Sequence, residues 1–268
     1  MADEPAENIS GGVDGGGRVD EFEPGEADTR AEAVVDALGE LYWQKAYGGR
    51  DGFECLVRTI LSQNTSDVAS QPAHDSLMTR YGPAEGLAER LADADRDELA
   101  ETIASAGLYN RKSTVIQQAA EWVLAAFGST TAFDEFVTDG DPSEVRETLL
   151  SVDGVGPKTA DCVLLFAGGR GGVFPVDTHV HRIARRMGLA SAAADHEAVR
   201  ESIEAAVPPE KCGFGHTAMI QFGREYCSAR KPACLDGPEA CPLYDLCDRV
   251  GVDEIDGAVV DPADAVGD

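Results

Sequence analysis

The sequence predicts an all-α fold, and three observations carry that expectation. Apolar residues recur at three- and four-residue steps along most of the chain, the spacing of one buried helix face. Clusters of Gly, Pro, Asp and Asn cut this pattern into many short helices. No two alternating apolar runs flank a turn, so a sheet is not expected.

The elements follow in order. EAVVDALGELYWQK opens the series, with Val34, Val35, Leu38 and then Leu41 and Tyr42 on its apolar face. FECLVRTIL, VASQPAHDSLMTRY, RDELAETIASAG, KSTVIQQAAEWVLAAF and PSEVRETLLSV continue it, then KTADCVLLFA, THVHRIARRMGL, HEAVRESIEAAV and GHTAMIQFG. YGPAEG, GLYN, TDGDP and VPPEKCG separate them. The glycine-rich AGGRGGVFPVD (167–177) reads as a hinge between two lobes, one spanning 52–168 and the other combining 31–51 with 171–247.

Charge is extreme and uneven. The net charge is −27, from 49 acids against 22 Lys and Arg. Residues 1–30 hold nine acids against Arg18 and Arg30, and 248–268 hold seven against Arg249. Both ends lack apolar periodicity and are expected to be disordered acidic tails. Such a surface argues against nucleic acid in dilute salt. It suits a halophilic setting, where molar salt shortens the Debye length to about 3 Å; seventeen Arg to five Lys agrees with that. No apolar run is long enough to span a membrane, and the acidic N-terminus is unlike a signal peptide, so a cytoplasmic protein is expected; it is also expected to be a monomer.

Seven cysteines are present. Cys55, Cys162 and Cys212 are scattered and read as small buried residues. Cys227, Cys234, Cys241 and Cys247 fall within 21 residues, with gaps of six, six and five. Disulfides do not suit a cytoplasmic chain. Zinc sites favour shorter knuckles, so the spacing leans toward an iron–sulfur cluster while leaving both open.

The segment LLSVDGVGPKTADCVLL reads as helix, tight turn, helix. Gly154 and Gly156 allow backbone that a Cβ would block, and the next helix start offers N–H groups to a phosphate. An ordinary helical corner would look similar. Lys158 shifts the balance, because the helix dipole disfavours a cation in a first turn. The same field, with partial burial, favours a neutral and nucleophilic amine. Asp177, in VDTHVHR, is an ideal N-cap and could serve chemistry as well.

These residues carry a resemblance. LSQNTSD (61–67), GLYNRKS (107–113), DGVGPKTA (153–160), VDTHVHR (176–182) and the cysteine run that follows GREYC occur in the order seen in the endonuclease III branch of the helix-hairpin-helix DNA glycosylases. The chain resembles that family over roughly residues 31–247. The resemblance implies a two-lobed all-α glycosylase fold and a 4Fe–4S cluster in a C-terminal loop, held by Cys227, Cys234, Cys241 and Cys247. It implies Lys158 as nucleophile and Asp177 as catalytic carboxylate, with double-stranded DNA bearing a damaged base or abasic site as partner. Leu108 takes the place of the wedge, and Gln63 or Asn64 that of the residue filling the gap left by the flipped nucleotide. Gly154, Val155, Gly156, Thr159, Arg111, Arg182, Arg230 and Lys231 are expected at the DNA, with Arg185 and Arg186 in the same basic strip. His179 is expected to face the base.

Three positions depart from the family pattern. Asp153 stands where proline is common, the Cys234–Cys241 gap is four residues longer than usual, and the register of LSQNTSD leaves Gln63 and Asn64 open. The activity implied is excision of oxidised pyrimidines with strand cleavage at abasic sites. Excision of 8-oxoguanine or of a mismatched base, or a non-catalytic DNA-binding iron–sulfur protein, are the competing readings.

Overall fold

The computed structural model describes residues 27–42, 49–65 and 67–265. The N-terminal tail expectation therefore lies almost wholly outside the described residues. Only 27–30 can be compared, and there Thr29 already caps the first helix, its hydroxyl accepting from Glu32 N–H. The chain divides into two compact units, which among the described residues comprise 49–170, and 27–42 with 171–265.

The first unit is helical throughout: α2 (Gly52–Ser62), α3 (Asp67–Tyr81), α4 (Leu87–Ala92), α5 (Arg96–Thr102), a 3-10 turn (Ala104–Ala106), α6 (Tyr109–Phe127), α7 (Thr130–Asp139), α8 (Pro142–Leu150) and α9 (Pro157–Phe166). α2 is its centre, buried on nearly every face and packed on α9, α7 and α3. Phe53, Leu56, Ile60, Leu61, Leu77, Leu87, Leu91 and Phe133 are fully buried. Phe133 meets Phe53, Trp122 and Phe127 edge-on at 5.3–6.2 Å between ring centres, the arrangement the ring quadrupoles favour. Residues 49–51, expected with the second lobe, belong here, since Gly49 and Arg50 N–H donate to the carbonyls of Ala167 and Phe166.

The second unit holds α1 (Arg30–Leu41), α10 (Thr178–Met187), α11 (His196–Glu204) and α12 (Pro209–Glu225). α1 and α10 both pack on α12. Lys211 is buried on α12 and donates to Glu32 and Asp36 of α1, each at 2.7 Å. Three 3-10 turns (Ala233–Asp236, Pro238–Ala240, Tyr244–Leu246) follow through the cysteine run. No helix among the described residues is long and apolar enough to cross a membrane.

Two expectations fail at the C-terminus. Residues 248–265 are not a structureless tail, and a sheet does exist. β1 (Val252–Asp253) pairs antiparallel with β2 (Ala258–Val259), and α13 (Pro262–Ala265) ends the described chain. The segment is held by polar ties rather than a long apolar face, which is why periodicity did not show it. Val250 N–H donates to the Arg186 carbonyl, Asp248 pairs with Arg30 at 2.6 Å, and Asp261 pairs with the buried Arg185. Sequence periodicity also missed α4 and α7, both short and mixed in composition.

Loss of the Asp261 partner should therefore destabilise the unit. Asp261 is half exposed, at 53% for its side chain, so Asp261→Asn should cost only about 1 kcal/mol. A chain ending at residue 250 should lose more, because Arg185 would keep its burial without its acid. Thermal unfolding of both variants checks this, and melting temperatures equal to the full chain's would refute it.

Candidate functional site

The turn between α8 and α9 is built around one glycine. Gly154 has φ +83°, and a Cβ there would stand 2.7 Å from Val115 Cγ1 of α6. Gly156 is extended, and a Cβ there would meet nothing in the protein. Only Gly154 is thus demanded by the fold. Val155 is buried and offers no side chain to solvent, and its N–H donates to Val152. Among the described residues no acceptor is paired with the N–H of Gly154 or Gly156.

Lys158 is the second residue of α9, after Pro157, and is half-buried. Gln63, at the end of α2, reaches this hairpin: its amide Nε2 donates to the Gly154 carbonyl and to Thr159 Oγ1, both at 3.1 Å. Thr159, expected at DNA, is 4% exposed and faces Gln63 instead. Asn64 is exposed and holds φ +52°. Leu108 caps α6 with φ +47° and is 58% exposed, and the neighbouring Arg111 is exposed too.

Sequence reasoning missed the group that ties these loops. Lys112 is 4% exposed, and its Nζ donates to Leu61 O and Thr65 Oγ1 at 2.7 Å and to Ala106 O at 2.9 Å. Burial pushes its ammonium down to about 8, so the charged form, with one N–H for each acceptor, still prevails at neutral pH. The available signal was its rarity and its place four residues after Leu108, a spacing that turns a long helical side chain back over the first turn.

In the second unit Asp177 is the N-cap of α10. Its Oδ1 accepts from His179 N–H and Val180 N–H, both at 2.8 Å; Oδ2 takes no part in the cap. The His179 ring lies 3.2 Å from Arg182 Nη2, and burial, reinforced by Arg182 and Arg224, pushes its imidazole down. Gly223 makes room for it, since a Cβ there would be 2.7 Å from His179 Nδ1.

The basic strip of α10 is turned inward, with Arg182 partly buried and Arg185 and Arg186 buried. Arg182 donates to the Cys227 carbonyl at 2.9 and 3.2 Å. Arg185 is buried against the Ala192 carbonyl and Asp261. Arg186 is 2% exposed and donates to Cys227 Sγ at 3.4 Å, Ser228 O and Ala229 O. Arg230 and Lys231, between the first two cysteines of the run, are exposed.

Cys227 and Cys234 are buried and Cys241 and Cys247 partly so. Burial raises the thiols of Cys234, Cys241 and Cys247, the last to about 12, and the field of Cys227 adds to each. The four sulfurs therefore share one neighbourhood, although no three His, Cys, Asp or Glu among the described residues are grouped to hold a single metal ion. The Arg186 guanidinium beside them has its Nε buried and without a hydrogen-bond partner. A buried cation with no carboxylate bonded to it calls for an anionic neighbour, which four thiolates around iron and sulfide would supply. The donor set fits a 4Fe–4S cluster on that count.

Comparison with known proteins places these features. A family profile for HhH-GPD superfamily base excision DNA repair proteins matches residues 57–209. The chain belongs to that superfamily. Within it, the chain is 30% identical over 198 residues to endonuclease III of Sulfolobus acidocaldarius, covering 74% of this chain and 82% of that one. It is 34% identical over 194 residues to endonuclease III of Synechocystis, covering 72% and 80%. A solved trapped endonuclease III–DNA covalent intermediate matches with TM-score 0.67 and 26% identity over 82% of this chain and 96% of that one. A thermostable thymine-DNA glycosylase, 22% identical with TM-score 0.66, shares the fold. The HhH-GPD match spans the α8–α9 hairpin and the Asp177 cap, so Lys158 and Asp177 sit in separate units of one family domain.

The two hairpin glycines should behave differently. Gly154→Ala meets both a left-handed φ and Val115, and should lower stability by about 1–3 kcal/mol. Gly156→Ala should leave the melting temperature unchanged, since the position is sterically open. Equal melting temperatures for the two variants would refute this division.

Proposed function

We propose that this endonuclease III-like protein is a bifunctional DNA glycosylase and abasic-site lyase acting on oxidised pyrimidines in duplex DNA. The observation that carries the reading is Lys158 in the first turn of α9, where the helix dipole disfavours a cation by about 0.3–1 kcal/mol. A position that costs stability suits a nucleophile better than a surface charge. The covalent DNA intermediate formed by a structural relative supports it.

The target base is unreachable within stacked duplex, so the nucleotide is first flipped out. The open N–H groups of Gly154 and Gly156 take a phosphate, with Arg111, Arg230 and Lys231 as exposed cations nearby in sequence to the loops that face DNA. Leu108 wedges the stack. Asn64 fills the vacated space, because the Gln63 amide is committed to the hairpin. The Lys158 nitrogen attacks C1′ with its lone pair, and the glycosidic bond breaks with its electron pair leaving on the base. Asp177 Oδ2 receives the proton lost from nitrogen or stabilises the cationic sugar. The C1′–O4′ bond then breaks, O4′ taking up a proton as the nitrogen lone pair closes the C1′–N double bond of a Schiff base, and loss of the C2′ proton acidified by that iminium expels the 3′ phosphate.

The four cysteines and Arg186 would hold a 4Fe–4S cluster, which when bound crosslinks residues 227–247. Arg230 and Lys231 project from the loop so fixed. His179 borders the base pocket.

Borohydride trapping on abasic duplex should succeed for the native chain and fail for Lys158→Gln, while that variant still binds DNA; continued trapping would sink the assignment. Asp177→Asn preserves a cap acceptor and should keep the melting temperature while losing at least tenfold in rate, whereas Asp177→Ala should lose both. A panel of oxidised pyrimidines, 8-oxoguanine, uracil and mismatches decides the lesion, and preference for any but the first would overturn the substrate assignment.

Purified protein should be straw-brown with about four irons per chain. Stoichiometric zinc without iron would overturn the cluster.

A further inference from the structure

Two non-glycine residues of the first unit stand in left-handed backbone, Asn64 at φ +52° and Leu108 at φ +47°. Each carries a cost of about 1 kcal/mol or more and persists only where surrounding contacts enforce it. Both are exposed, so packing of their own side chains does not enforce it. The enforcing contacts lie beneath them. Lys112 Nζ takes the carbonyl of Leu61 at the end of α2, the Thr65 hydroxyl just past Asn64, and the Ala106 carbonyl two residues before Leu108. Thr65 Oγ1 in turn donates to the same Ala106 carbonyl at 2.6 Å. The two loops belong to different helix junctions, and the buried ammonium together with the Thr65 hydroxyl joins them.

The link continues into the hairpin. Gln63, between Leu61 and Thr65, donates to Gly154 O and Thr159 Oγ1. Val115, one turn beyond Lys112 on α6, is the residue against which Gly154 packs. Loops 63–65, 104–108 and 151–156 are thus one hydrogen-bonded and packed assembly centred on α6.

We propose that Lys112 is a positioning residue, its buried ammonium holding Asn64 and Leu108 in the paired left-handed geometry by which they enter the duplex together. The inference rests on the glycosylase and lyase reading above. It makes a distinction that a general stabilising role would not. Insertion into the stack matters only where an opposite strand and flanking stacked bases exist. Chemistry at an abasic site in a single strand needs Lys158 but no wedge.

The test compares borohydride trapping rates on an abasic duplex and on the same abasic strand alone, for the native chain, Lys112→Met and Thr65→Val, with melting temperatures alongside. Lys112→Met should slow duplex trapping about tenfold, or roughly 1.4 kcal/mol, and leave the single-strand rate within about twofold. Thr65→Val, which removes one acceptor without emptying the site, should show the same selectivity at about threefold. On a Leu108→Ala background, Lys112→Met should cost the duplex rate less than it does in the native chain, because the wedge is already gone and only Asn64 remains for Lys112 to hold. A probe for the step itself is 2-aminopurine opposite the abasic site, whose fluorescence on binding should fall in Lys112→Met.

An equal loss on both substrates, or an undiminished duplex rate in folded Lys112→Met, would overturn the proposal. Should Lys112→Met not fold, Thr65→Val decides, and an unchanged duplex-to-single-strand ratio there overturns it. If the native chain traps on neither substrate, the lyase reading has failed instead, and the 2-aminopurine signal alone then decides the role of Lys112.

Discussion

Among the described residues five cations are almost fully buried: Arg58, Lys112, Arg185, Arg186 and Lys211. Burying a charge is expensive unless it is paired or hydrogen-bonded, and each of these is hydrogen-bonded in its own way. Lys211 takes two carboxylates and Arg185 takes one with a carbonyl. Lys112 and Arg186 are different, because their acceptors are carbonyls, a hydroxyl and a sulfur. Carbonyls left over where helices end are the groups most in need of donors. A single ammonium or guanidinium with several N–H bonds can gather them from separate segments, which is how loops become fixed without secondary structure of their own.

The same economy appears at the two helix starts that carry Lys158 and Asp177. The α9 start has no side-chain cap, and its preceding N–H groups stay open. The α10 start is capped by Asp177 through one oxygen alone. One helix start is thereby left to attract an anion, and the other supplies one. Both features arise from backbone requirements of the last residues before a helix, so the site chemistry and the helix boundaries share the same few positions. A substitution there tests fold and function together unless, as with Asp177→Asn, it keeps the cap.

What could be read in the sequence was local. Lys158 after Gly154-Val155-Gly156, Asp177 before Thr178-His179-Val180, and four clustered cysteines each declare themselves within a few residues. What could not be read depended on partners far along the chain. Arg182, Arg185 and Arg186 have the spacing of a solvated face, and only the carbonyls of residues 227–229 and the carboxylate of Asp261 turn that face inward. Gln63 and Asn64 could not be separated by register, since the difference is which amide finds Gly154, some ninety residues away. The C-terminal segment looked like a tail because its order comes from ion pairs and a two-residue strand pairing, which leave no periodicity.

The inward turn of α10 changes how the acidic chain can meet DNA. Of six cations that the sequence offered to phosphates, Arg182, Arg185 and Arg186 are engaged within the second unit, leaving Arg111, Arg230 and Lys231 exposed. Affinity for a polyanion normally scales with the number of phosphates neutralised, and each released counterion adds to the salt dependence. On the proposed function, three exposed cations give this chain a small share of that attraction. The open N–H groups at the α8–α9 turn are neutral dipoles, and on the same proposal they would hold a phosphate without displacing a counterion as a lysine does. A binding surface weighted toward backbone donors loses less when salt rises, and high salt also screens the repulsion from the acids around it. The burial of cations and the acidity of the surface are then parts of one arrangement, in which the positive charge serves the framework and the turn serves the substrate.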